Sequence, residues 1–106
     1  MIVLNDNSHT AVKLFVANTF FTRLQGLFSP RAESHDGIVI KPCNSIHTIG
    51  FSCDIDVFFL TNEGKVVKVV KAMKSNRFAF CFGAKAVIEI FSDRDCQFSV
   101  GDVIHV

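Results

Sequence analysis

Apolar and polar residues alternate with a period of two through most of the chain, in short segments separated by turn residues. That rhythm is the mark of half-buried β-strands. It predicts strands near residues 2–4, 11–17, 37–40, 45–49, 55–60, 66–72, 84–91 and 103–106. In the second, Val12, Leu14 and Val16 share one face. In the seventh, Ala86, Ile88 and Ile90 share a face and Lys85, Val87 and Glu89 take the other, so one buried and one wetter side is expected. Asn62-Glu63-Gly64 falls between two β-rich runs and predicts the tip of a hairpin over 55–72, because Asn and Gly accept positive φ. One stretch departs from period two: Phe20, Leu24, Leu27 and Phe28 recur at helical spacing behind Asn18 or Thr19 as cap, and Pro30 stops further winding. A short helix over 19–28 follows. Residues 74–83 fit two descriptions, a strand by the alternation of Phe78, Phe80 and Phe82, or a long covering loop.

The pattern thus describes a mainly β protein, a compact antiparallel sandwich or partly open barrel with one short α-helix. At 106 residues, 49% of them apolar, the chain suits a single domain with one core. Eleven basic residues against ten acidic ones leave a formal charge of +1, which gives no broad field for a phosphate backbone or an anionic bilayer. Trp and Tyr are absent and the twelve Phe are interspersed with aliphatics rather than with Lys and Arg, so the expectation is no nucleic-acid partner. No apolar run has the length to cross a bilayer and the first residues lack the pattern of a secretory signal. A soluble cytoplasmic protein without membrane insertion is expected, as a monomer or as a weak dimer through an edge such as 66–70.

Candidate chemistry concentrates in Pro42-Cys43-Asn44-Ser45-Ile46-His47-Thr48. Cys43 and His47 lie four residues apart, a spacing that suits a thiol and a base, though a packed thiol and a backbone-satisfied imidazole fit it better. Asp56 stands inside the apolar run Ile55 to Leu60, and by alternation it shares a face with Phe58 and Leu60. A carboxylate so placed needs a partner, and Arg23 and Arg77 are the candidates. Ser45 and Thr48 offer hydroxyls to a ligand or to the backbone. Cys43, Cys53, Cys81 and Cys96 have no paired close spacing, which points to reduced, packed thiols and away from a disulfide framework or a zinc knuckle. Neither a metal nor a cofactor is expected; a metal, if held, would use Cys43, His47 and an oxygen of Asp54 or Asp56.

Several pieces in fixed order resemble the domain of unknown function 192 family. They are Thr19 with Arg23, Gly26 and Leu27; Pro42 to Thr48; Ile55 to Leu60; Gly83-Ala84 with Ala86, Val87 and Glu89; and Gly101-Asp102. The resemblance implies a small, mostly β domain with no established activity, some of whose relatives are encoded beside envelope and pilus assembly systems. Relatives usually carry an aromatic, a methionine, a basic residue and a proline between the His-Thr pair and the core strand. Here Ile49-Gly50-Phe51-Ser52-Cys53-Asp54 stands instead, and the cation is lost or replaced by Lys41, Lys74 or Arg77. A tryptophan and a proline expected ahead of Arg77 are replaced by Ser75-Asn76. The functional expectation is a non-catalytic module for a small ligand or a protein, with a site formed by Arg23, Cys43, Ser45, His47, Thr48, Asp56 and Arg77. The alternative is a hydrolase or acyl transferase in which Cys43 attacks, His47 takes the proton and Asp56 orients the imidazole.

Overall fold

The computed structural model describes residues 2–4, 11–18, 35–50, 53–94 and 98–105. Among these residues eight strands are formed in chain order: β1 (Ile2–Leu4), β2 (Ala11–Ala17), β3 (Gly37–Ile40), β4 (Ser45–His47), β5 (Ile55–Leu60), β6 (Val66–Met73), β7 (Phe78–Phe80) and β8 (Ala86–Phe91). Six of them make one sheet in the order β1-β2-β3-β8-β5-β6, and β4 pairs with β7 in a separate two-stranded ribbon. The protein is mainly β, and among the described residues the sheets do not close into a barrel. The helix expected over 19–28, with Arg23, lies outside the described residues. No helix among the described residues is long and apolar enough to cross a membrane.

β2 and β3 run parallel, with Leu14 opposite Gly37 and Ala17 opposite Ile40, whereas every other strand pair is antiparallel. Two parallel neighbours need a crossover between them, and residues 18–36 supply its length. β5 and β6 form the expected hairpin. Its tip is tied by Thr61 N–H to the Lys65 carbonyl and by Ile104 N–H to the Gly64 carbonyl. Gly64 has φ +87°, and a side chain there would strike the Ile104 carbonyl. In the last predicted strand, Val103 bridges Lys65 in antiparallel fashion.

Both faces of the large sheet are covered. On the first, Leu14, Val39, Phe58, Leu60, Ile88 and Ile90 pack with Phe98 and Ile104 from the C-terminal segment. On the second, Ile55, Val57, Phe59, Met73 and Val87 pack beneath Ile46 and Ala79 of the ribbon. Central strands buried on both sides lose the alternation of a half-exposed sheet. β8 therefore has no wet side: Val87 and Glu89 are 0% and 2% exposed.

Candidate functional site

The ribbon is short, and its alternation is strict. Ile46 and Ala79 point into the second face of the large sheet, and Ser45, His47, Phe78 and Phe80 point to solvent. Ser45 lies opposite Phe80 and His47 opposite Phe78. The His47 and Phe78 rings are 6.3 Å apart, and Phe80 meets Phe82, from the following turn, edge to face at 4.7 Å. Phe78, Phe80 and Phe82 are 75%, 44% and 88% exposed. Lys68 reaches from β6 to donate its ammonium to the Phe80 carbonyl at 2.8 Å, which fixes a cation at the ribbon's margin.

Thr48 closes the ribbon. Its hydroxyl donates to the Lys74 carbonyl at 2.6 Å and accepts from Arg77 N–H at 2.9 Å. The backbone adds bonds from Thr48 N–H to the Arg77 carbonyl and from Asn76 N–H to the Thr48 carbonyl. Thr48 is fully buried, so its hydroxyl serves the turn that carries Asn76 at φ +60°. Arg77 is exposed beside it.

The remaining predicted site residues are distributed differently. Cys43 is half-buried between the apolar cluster of the second face and that of Ala17, Ile38 and Ile40, and its thiol donates to the Ser45 carbonyl at 3.1 Å. His47 Nδ1 accepts from Ile49 N–H at 3.3 Å. Asp56 belongs to the opposite face of the large sheet, since it pairs across β8 with Ile90, which packs on the first face, while the ribbon covers the second. The expected hollow shared by Cys43, His47 and Asp56 is thus divided by a sheet. A Cys-His-Asp triad is not assembled by this geometry.

Among the described residues Asp56 finds partners other than the expected Arg77, and Arg23 lies outside them. Lys71 Nζ lies 2.7 Å away, Ala72 N–H donates at 2.8 Å and the Ser92 hydroxyl at 2.9 Å. The β5–β6 register slips between Ile55 and Val57, and Ala72 sits in that irregularity at φ +50°. Burial pushes the Asp56 carboxyl up, but hydrogen bonds from Ala72, Lys71 and Ser92, with the Lys71 charge, outweigh it and hold the group below its ordinary range.

A groove of about 630 Å³ opens on Cys53, Asp54, Phe91, Ser92, Asp93 and Arg94. Its polar groups bind one another or the sheet: Asp54 with Lys74, Asp93 with Arg94, Ser92 with Asp56. Cys53, expected among packed thiols, is exposed there. No cluster of three or more His, Cys, Asp or Glu suited to a metal occurs among the described residues.

Sequence reasoning passed over Phe78, Phe80 and Phe82 as surface residues. Their signal is present in the chain, as three phenylalanines at alternate positions between Arg77 and Lys85 with no acidic residue from 74 to 88.

The sequence model of a family described as "Uncharacterized ACR", DUF192, matches residues 2–106. Comparison with curated proteins gave no match. Two crystal structures share the fold. A protein of unknown function from Novosphingobium aromaticivorans superposes with TM-score 0.78 at 16% identity, over 99% of this chain and 82% of its own. A putative transcription regulator from Sinorhizobium meliloti superposes with TM-score 0.77 at 12% identity, over 98% of this chain and 89% of its own.

Proposed function

Given that the chain belongs to the domain of unknown function 192 family, we propose that it is a non-catalytic binding module that engages an anionic macromolecule through the outer face of the β4–β7 ribbon. The observation that carries this reading is the exposure of Phe78 and Phe82, at 75% and 88%. Apolar groups gathered on a surface and rimmed by polar ones mark interaction sites in soluble proteins. Ser45, His47 and Arg77 remain part of this face. Arg23 stays a proposed contributor, whereas Cys43, Thr48 and Asp56 act as packing, turn and bulge residues. A setting in envelope or pilus assembly is compatible with such a module and adds nothing to its chemistry.

The sign of the partner comes from the segments that build the ribbon. Residues 41–50 and 74–86 contain Lys41, Lys74, Arg77 and Lys85 and no Asp or Glu. Lys74 is paired with Asp54, and Lys68 adds its ammonium from β6. An anionic surface is complementary to such a face, and a second copy of the same face is not.

The test is binding of three probes: a labelled twelve-residue oligothymidylate, poly-glutamate, and vesicles rich in phosphatidylglycerol. At least one is expected to bind, and the double variant Phe78→Ser, Phe82→Ser is expected to weaken that binding tenfold or more while its melting temperature stays near that of the parent. Binding to none of the probes, or equal binding by the variant, would overturn the proposal.

A further inference from the structure

We infer that the ribbon face is a stacking platform for single-stranded nucleic acid, with Phe78 and Phe82 receiving bases and Lys68 and Arg77 meeting phosphates. This inference rests on the binding reading above and names its partner. The whole-chain charge of +1 argues against nucleic acid only as an average. Folding pairs two segments free of acids, so neither strand of the ribbon sets a carboxylate beside the aromatic rings.

Three features favour this partner over other anionic surfaces. First, the rings lie on the flat of a strand pair. Phe78 and Phe80 are two residues apart on one face, about 6.8 Å by strand geometry, and Phe82 continues the row beyond the strand end. Rows of exposed rings on β-surfaces accept bases, because every base has a π-face whatever its sequence.

Second, the rings are interrupted by hydrogen-bonding groups. Ser45 stands opposite Phe80 and His47 opposite Phe78, which suits base edges and sugar hydroxyls. A bilayer anchor would instead present a continuous apolar face. Third, cations stand at the ribbon: Lys68 is held at the Phe80 carbonyl, and Arg77 is exposed at the entry to β7. That arrangement places positive charge where a strand stacked on the rings would carry its phosphates.

Stacking in this mode tolerates sequence and depends on salt. With about two phosphate contacts the logarithm of affinity should fall with the logarithm of salt concentration at a slope near −1.4.

Fluorescence anisotropy of a labelled twelve-residue oligothymidylate, an oligouridylate and a matched duplex tests the inference on the intact chain at 20 to 200 mM salt, concentrations of about that order being those over which phosphate contacts weaken most visibly. The single strands are expected to bind at least tenfold more tightly than the duplex. Phe78→Ala with Phe82→Ala should weaken single-strand binding tenfold or more at every salt concentration. Arg77→Gln should weaken it less and make the slope shallower by about 0.7. Melting curves of the variants establish that the fold persists. Absence of single-strand binding at the lowest salt overturns the inference. Binding that survives loss of both rings also overturns it, since that is attraction by charge alone. If poly-glutamate or the vesicles bind in a ring-dependent way and the oligonucleotides do not, this inference falls and the binding-module reading stands. If no probe binds, both fall.

Discussion

Glu89 sits in β8 between Ile38 of β3 and Val57 of β5, 2% exposed, with its Oε1 lacking a hydrogen-bond partner. Burial in apolar surroundings penalises the charged form and raises the carboxyl from 4.5 to about 7. A group whose folded value lies above its unfolded one binds protons more tightly when folded. Its stabilising contribution is complete below the unfolded value and is lost as pH climbs toward the folded one. The loss between pH 4.5 and pH 7 amounts to about 3 kcal/mol. Asp56, held low, acts in the opposite direction and at more acid pH, its contribution disappearing as pH falls through its folded value. Urea unfolding at pH 5 and pH 8 is therefore expected to show a less stable protein at the higher pH. Glu89→Gln, neutral throughout, should remove most of that difference. An unchanged difference in the variant would assign the pH dependence to other groups.

At the level of elements, the bulge in β6 explains why Asp56 is tolerated in a core strand. Lys71 is 55% exposed at its side chain, so the ion pair is largely screened, while the part-buried hydrogen bonds from Ala72 N–H and Ser92 hold the carboxylate in the bulge. Asp56→Ala leaves a bulge amide without its acceptor and is expected to lose about 2–4 kcal/mol in chemical denaturation. Lys71→Met should lose less than about 1 kcal/mol. Equal losses would make the ion pair the main contributor. The glycines separate in the same way. Gly64→Ala, at φ +87° and against the Ile104 carbonyl, should cost about 2 kcal/mol or more, whereas Gly83→Ala meets nothing within 4 Å and should stay within about 0.5 kcal/mol.

These elements also show where sequence reading carries and where it stops. β2, β3 and β5 fall at the expected residues, and the hairpin forms, because period-two patterning and turn chemistry are local properties. The parallel placement of β2 beside β3 is decided by a crossover, which no local pattern encodes. Asp56 announced its need for partners through its neighbours, but Ala72 became one only through a bulge in another strand. The role of β8 was misjudged on one face for a related reason: Lys85 and Glu89 are polar, yet β4–β7 packs over that side and Glu89 is buried.

For the whole molecule, the proposed binding face belongs to its smaller unit. β4 and β7 are three residues each, and an isolated strand pair of that size is marginal in water. The ribbon rests on the large sheet through Ile46 and Ala79, and Thr48 joins it to the turn at 74–77. Its composition, aromatic and cationic without acids, disappeared into the chain totals because the rest of the molecule carries the balancing carboxylates. A small unit with few enclosed hydrogen bonds should open without the large sheet, in the manner of partial unfolding. Native-state hydrogen exchange is expected to show lower opening free energies in β4 and β7 than in β5 and β8. Thr48→Val removes the donor to the Lys74 carbonyl and the acceptor for Arg77 N–H, which is worth about 1–2 kcal/mol locally. The variant should therefore speed exchange in the ribbon roughly tenfold while β5 and β8 keep their protection. Parallel acceleration in all four strands would mean that ribbon and sheet open together. In that case the ribbon face is as rigid as the core beneath it, and a partner would gain no stabilisation by closing it.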